Sequence, residues 1–305
     1  MRQVTRRSVL GAGAALLPLA KKGGAASPGG HDFRLAVTTD EIDDDLGVAL
    51  QFLRRHGLRH CEIRNIWGRY NTSQPMERIR EARSMLDGAG IRLAILDTGF
   101  FKVPVPENPE NLQAQWDLLD RAFERADVLG TDLIRTFAFT YRRNETPDPD
   151  AYPRIYELVA ESAERAGRAG FRLAVENVHP SYVERSSQSA KLLQAVQSPA
   201  LGLTWDPNNA ARAGDASPFP DGYAGLDKRR IWHVHVRDYR RSADGEVVWC
   251  GVGDGEFDHV GQLRALVRDG YSGSVSLETH YTIDGSKAAA SERSVMGLLR
   301  AVAQV

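Results

Sequence analysis

Phe171-Arg172-Leu173-Ala174-Val175-Glu176 is the stretch whose reading decides the fold. A short aliphatic run ends on a single carboxylate, and a stretch near Gln188 to Val196 with helical spacing follows it. A run this short, bounded and then succeeded by apolar residues every three to four positions, reads as a strand feeding a helix. Downstream the pattern recurs in Leu201-Gly202-Leu203-Thr204-Trp205-Asp206, which leads into a loop-rich crossover. It recurs again in Ile231-Trp232-His233-Val234-His235-Val236 before Val260 to Val267, and in Ser274-Val275-Ser276-Leu277-Glu278 before Ala288 to Leu299. Upstream, Phe33 to Thr38 precedes a helical stretch over Leu46 to Leu53 that Gly57 closes, and Cys61 to Ile66 precedes Met76 to Leu86. Ile91 to Leu96 precedes Leu112 to Leu129, and Asp132 to Phe137 precedes Tyr152 to Ala166. Eight strand-plus-helix units predict an α/β fold, a (β/α)8 TIM barrel, with residues 27–305 as one domain. The competing open, doubly wound sheet in its nucleotide-binding form opens its first helix on GxGxxG, and that motif is missing after the first strand.

The chain of 305 residues is 42% hydrophobic, ample for one large core. Its net charge of -1 gives no basic excess, which argues against nucleic acid or an anionic membrane as a partner. Cys61 and Cys250 lie far apart, outside any CxxC or CxxH pattern, so a thiolate metal site has no support. Residues 1–26 read differently from the rest. Thr5-Arg6-Arg7-Ser8-Val9-Leu10 sets paired arginines before an apolar run, Val9 to Ala20, and small residues follow at Gly24-Ala25-Ala26-Ser27. That order predicts a twin-arginine-type signal peptide cleaved after Ala26, hence an exported protein, periplasmic or extracellular. The run falls short of the roughly 20 residues a membrane span needs, so no stable membrane insertion is expected.

In a parallel barrel, chemistry gathers at the C-terminal strand ends. Glu176 closes the fifth strand, Asp206 the sixth and Glu278 the eighth, while His233 and His235 on the seventh point to one side. Carboxylates with an imidazole make an anionic oxygen/nitrogen site suited to one divalent ion, Mn, Mg, Co or Zn. His235 reads as the ligand and His233 as a neighbour in the barrel interior, with the exchange of those roles left open.

These residues carry a resemblance. Leu173-Ala174-Val175-Glu176-Asn177, Thr204-Trp205-Asp206-Pro207-Asn208, His233-Val234-His235-Val236-Arg237-Asp238 and Ser276-Leu277-Glu278-Thr279-His280 resemble the xylose-isomerase-like TIM-barrel superfamily of sugar (phosphate) isomerases and epimerases. So do Gly251 to Asp258, Thr39-Asp40-Glu41-Ile42 and Glu62 to Gly68. The resemblance implies that Glu176, Asp206, His235 and Glu278 bind the metal, and that Glu176 and Glu278 are the catalytic acid/base pair. It also implies a substrate-contacting arginine at Arg241, a place for which Arg237 and Arg240 compete. Asn209 stands where several relatives carry a histidine, and with His233 it is counted among the substrate-binding residues. Trp67, Tyr70, Phe101, Phe137, Tyr141 and Trp205 lie near strand ends as candidate stacking rings, Trp67 foremost. His280, His179 and Glu62 are further pocket candidates. The endonuclease IV-type members carry extra histidines at the second and third strand ends. Here those ends read Asn65 and Asp97-Thr98-Gly99, which sets DNA repair aside.

The chemistry implied is metal-dependent isomerisation or epimerisation of a sugar or keto-sugar by proton transfer through an enediolate. The same site would serve a 3-keto-glycoside lyase that eliminates the aglycone, and a non-catalytic sugar-binding barrel is the alternative of another class. The partner in each case is a small carbohydrate. No motif reads on the oligomeric state, and an oligomer remains open.

Overall fold

The structure is a computed structural model describing residues 32–142 and 145–305. The signal segment read over residues 1–26 lies outside the described residues. From the amino-terminal side, β1 (Arg34–Val37), α1 (Leu46–Arg55), β2 (His60–Ile63), α2 (Met76–Ala89), β3 (Arg92–Asp97), α3 (Pro109–Leu129), β4 (Leu133–Thr136) and α4 (Tyr152–Ala169) alternate. The second half continues with β5 (Arg172–Glu176), α5 (Ser186–Ala195), β6 (Leu201–Trp205), α6 (Pro207–Arg212), β7 (Ile231–Val236), α7 (His259–Arg268), β8 (Ser274–Leu277) and α8 (Lys287–Val302). The strands pair in parallel in the order β1-β8-β7-β6-β5-β4-β3-β2. Among the described residues a single parallel bridge, Thr38 to Glu62, joins the two ends, and the Thr38 hydroxyl donates to Glu62 Oε2 across it at 3.0 Å. The sheet is a nearly closed TIM barrel. The core lies between strands and helices, in side chains such as Leu46, Leu53, Ile79, Leu119, Ile155, Leu192 and Leu263.

One expectation needs correction. The second strand stops at Ile63 instead of running to Ile66. Asn71 donates its side-chain amide to the carbonyls of Ile63, Arg64 and Asp97 at 3.1, 3.0 and 2.6 Å, which turns the chain out of the barrel. Asn65–Ile66 then pairs antiparallel with Arg69–Tyr70 as a small ribbon over the mouth. Cys61 is buried in β2 and Cys250 lies in a second ribbon, both as free thiols. Among the described residues no helix is long and apolar enough to cross a membrane.

A close approach locks the last helix to the loop beside the mouth. In α8, Gly297 occupies a helix interior, where glycine ordinarily costs roughly 0.5–1 kcal/mol relative to alanine. A Cβ there would stand 1.8 Å from the carbonyl oxygen of Val252. Gly297→Ala is therefore expected to destabilise the protein by about 1–3 kcal/mol despite the helix preference, read as a lowered midpoint in urea unfolding. A stabilised variant would mean that this contact carries no constraint.

A candidate metal centre at the barrel mouth

The polar residues of the strand ends converge. Glu176 ends β5, Asp206 follows β6, His235 lies in β7 and Glu278 follows β8. One ligand atom from each falls within 4.8 Å of the other three, and all four residues are buried. Local sequence sets each of them. Asp206 caps α6, its Oδ1 accepting the backbone N–H groups of Asn208 and Asn209 at 2.9 and 2.8 Å, which leaves Oδ2 for the centre. Asn177 locks the preceding turn by bonding both the N–H and the carbonyl of Asp206, at 2.9 and 2.8 Å. Asn209 donates to Glu176 Oε1 at 3.1 Å, so it orients a ligand-type carboxylate.

His235 is aimed from behind. Its Nε2 lies 3.2 Å from Glu62 Oε2, while Nδ1 faces Glu176 and Glu278 at 3.4 Å each and Asp206 at 3.9 Å. That Nδ1 is buried and makes no hydrogen bond among the described residues. A carboxylate behind the far nitrogen with the near one turned toward three acids is the arrangement metal-binding imidazoles use. Residue types, spacing and the unpartnered Nδ1 thus fit a divalent cation. His233 sits on the same carboxylate through its Nε2, a fully buried contact with Glu62 Oε1. It lies two residues deeper along β7 than His235.

Three arginines interleave with the acids. Arg135 donates to Glu176 Oε2 at 2.9 Å and lies 3.4 Å from Asp97 and 3.8 Å from Glu278. Arg64 reaches Glu278 Oε1 at 2.7 Å, Glu41 at 2.6 Å and Asp40 at 2.9 Å. Arg237 bonds Asp206 Oδ2 at 2.5 Å and also contacts Glu278 and His280. Burial works against every one of these carboxylates, and the outcome differs by partner. For Glu176, Arg135 and His235 overcome burial and pull the carboxyl down to about 2. Burial likewise opposes ionisation of Glu278 and Glu62, yet His280 and Arg237 hold the first, and His235 and His233 the second, well below the usual range. Asp206 and Asp97 go the other way, because burial outweighs Arg237 and Arg135. Burial also disfavours a charged His235, but Glu62, Glu176 and Glu278 raise it well above an ordinary imidazole. A field that draws a proton onto a buried imidazole is one that holds a cation.

The substrate-binding residues read from sequence separate. Arg241 is not gathered in: it lies at the exposed end of the ribbon strand Asp238–Arg241, 4.0 Å from Glu256, whereas Arg237 enters the centre. The physical reason is distance from the strand end: Arg237 directly follows β7, whereas Arg241 closes a ribbon strand that has left the barrel to pair with Val247–Cys250. Trp67 packs against Arg78 of α2, whose guanidinium lies 3.6 Å from its ring centroid. Phe101, Phe137 and Trp205 are fully buried in the interior, and Tyr141 donates to Glu184 at 2.6 Å. Tyr70 is half-buried in the field of Arg135, Arg64, Asp97 and Asp40 at the mouth. His280 lies beside Glu278 at 3.4 Å, and His179 pairs instead with Glu184 at 2.9 Å. Sequence reasoning missed Arg64, Arg135, Asp40 and Glu41 as members of this cluster. An arginine inside Leu133-Ile134-Arg135-Thr136-Phe137 was the available signal, since a charge in a buried strand requires a partner.

Asp206→Asn keeps the oxygen that caps α6 but removes a charge from the centre. It is expected to lower bound divalent metal, measured by elemental mass spectrometry after loading with Mn, Co, Mg or Zn, by tenfold or more. Asp206→Ala should add a cap loss of about 1 kcal/mol to the same deficit. Unchanged metal content in both would remove Asp206 from the ligand set.

Comparison with known proteins returns a consistent picture. The family described as xylose isomerase-like TIM barrel matches residues 50–300. A 3-dehydroshikimate dehydratase of Pseudomonas putida is 26% identical over 274 residues, 88% of this chain and 41% of that protein. The chain therefore spans about two fifths of the length of that curated relative. Among solved structures, the zinc-bound IOLI protein superposes with a TM-score of 0.73 at 17% identity, covering 88% of this chain and 98% of its own. The 3-keto-D-glucoside 4-epimerase of E. coli superposes with a TM-score of 0.67 at 16% identity, covering 88% and 99%. At those identities the two structures speak for the fold.

Proposed function

Because the chain belongs to the xylose isomerase-like TIM-barrel family, we propose that it is a divalent-metal-dependent enzyme that moves a proton beside the carbonyl of a sugar or keto-sugar, as an isomerase or epimerase. One observation carries the reading: two glutamates, from β5 and β8, converge with Asp206 and the unpartnered Nδ1 of His235 in one buried cluster. Bound there, Mn, Mg, Co or Zn would supply Lewis acidity that lowers the cost of negative charge on the substrate oxygens. The chain's own residues do the rest. Glu62 fixes the imidazole, and Asn209 and Arg135 fix the Glu176 carboxylate. Glu176 and Glu278, ionised at neutral pH, are the pair from which the base and the returning acid are drawn. Arg237 and Arg64 balance charge that builds on the substrate.

Elimination is the second reading, and the match to a dehydratase favours it. Loss of a group beta to a carbonyl starts from the same proton removal, so one site serves both outcomes. For a 3-keto-glycoside the departing group would be the aglycone. Residues 1–26 read as an export signal, and in that setting the substrate is an unphosphorylated carbohydrate.

The test is solvent exchange in D2O with keto-sugars and 3-keto-glycosides, followed by NMR. Deuterium entering the carbon beside the carbonyl is expected, with an epimer or isomer as product, or free aglycone if elimination follows. A ligand that binds and never exchanges would make the protein a sugar-binding barrel.

A further inference from the structure

The second ribbon brings an aromatic ring to the edge of the carboxylate cluster. Asp238–Arg241 pairs antiparallel with Val247–Cys250, setting Trp249 opposite Tyr239. The guanidinium of Arg237 lies 5.0 Å from the Trp249 ring centroid, and that of Arg212 lies 5.6 Å away. Arg237 also bonds Asp206 and Glu278, so the ring stands one guanidinium away from two of the four ligand-type residues. Trp249 is half-buried, and its indole N–H donates to no group among the described residues.

The ribbon is anchored well for a surface element. Asp238 accepts the backbone N–H groups of Gly253, Gly255 and Phe257 at 2.9, 3.0 and 3.2 Å, and His259 lies 3.2 Å from it. Arg240 donates to the Asp254 carbonyl at 2.7 Å. Trp249 thus has a fixed position. The floor of the mouth is charged, while this rim offers an amphipathic ring whose donor meets no acceptor among the described residues. Such a rim suits the C–H face of a sugar or an aromatic group, with a polar edge within reach of the indole.

We propose that Trp249 is the platform for a second ring joined to the reacting sugar by a glycosidic bond, so that the substrate class is a glycoside in preference to a free monosaccharide. This rests on the functional reading above in that the reacting sugar lies on the carboxylate cluster. Trp249 then selects substrates by what they carry beyond that sugar.

The experiment uses the full protein with 15N-labelled indoles, whose five tryptophans give five N–H signals, and two probes, p-nitrophenyl β-D-glucopyranoside and D-glucose. The signal assigned to Trp249 through Trp249→Phe is expected to move with the aryl glucoside, which should bind about tenfold more tightly than glucose. Trp249→Ala should collapse that preference and Trp249→Phe retain part of it, with the other four indole signals in place to report an intact fold. A stationary Trp249 signal, equal affinity for the two probes, no binding of the aryl glucoside at millimolar concentration, or a preference that survives Trp249→Ala overturns the proposal. A Trp249-dependent preference without exchange of any keto-glycoside in D2O would support the platform and sink the proton-transfer reading, so the two failures are distinct.

Discussion

Glu278→Gln is expected to lower turnover, and solvent exchange on any keto-glycoside that exchanges with the native protein, by about a thousandfold. The replacement keeps the side-chain shape and removes both a base and a negative charge. Both native oxygens are engaged, Oε1 with Arg64 at 2.7 Å and Oε2 with Arg237. An amide there turns a donor toward a guanidinium, so the variant loses pairing as well as charge. The control is Glu176→Gln, which faces Arg135 at 2.9 Å and should give a deficit of the same order. Deuterium incorporation separates their roles: whichever variant blocks exchange altogether holds the base, and the one that exchanges without product holds the returning acid. Full turnover in both variants would end the proton-transfer assignment. Thermal melts with and without metal tell a lost catalyst from a lost fold.

Arg135→Met is expected to cost about 3–5 kcal/mol of stability in metal-free protein at neutral pH. Arg135 is fully buried and serves Glu176, Asp97 and Glu278 from one guanidinium. Removing it leaves buried carboxyls with less compensation than burial demands. The deficit has a pH signature. The Glu176 carboxyl stands near 2 in the native protein, below the value of about 4.3 for an unfolded glutamate. A depressed carboxyl contributes stability that is present above the unfolded value and is lost as pH falls through the folded one. Burial opposes that depression and Arg135 is the foremost group producing it, so the variant loses most of this contribution at neutral pH. The gap between native and variant proteins should therefore be widest near pH 7 and narrow below about pH 4. Urea unfolding in the presence of a chelator at several pH values measures it, and a gap independent of pH would mean that Arg135 acts by packing alone.

Much of this architecture was legible in the sequence. Each barrel strand is a short aliphatic run with a helix behind it, a local pattern that needs no knowledge of distant contacts. The convergence of Glu176, Asp206, His235 and Glu278 was legible for a related reason, since a parallel barrel brings successive strand ends to one face. What escaped was pairing over long sequence separation. Arg64 meets Glu278 across 214 residues and Glu62 meets His233 across 171, and no periodicity announces either. Nor did the sequence tell Arg237, next after the strand end at Val236, from Arg241 in the ribbon beyond it. Trp249 was invisible for another reason. Its position depends on a ribbon held by Asp238 and by the turn that follows, and a tryptophan in Val247-Val248-Trp249-Cys250 looks like any strand residue.

The bridge between Thr38 and Glu62 joins the first barrel strand to the second, and Glu62 also receives both histidines of β7. The zipper that makes the sheet a cylinder and the bracket that aims the imidazole share one carboxylate. A change at Glu62 would loosen the cylinder and misdirect His235 together, so architecture and reactivity are not separately adjustable at that position.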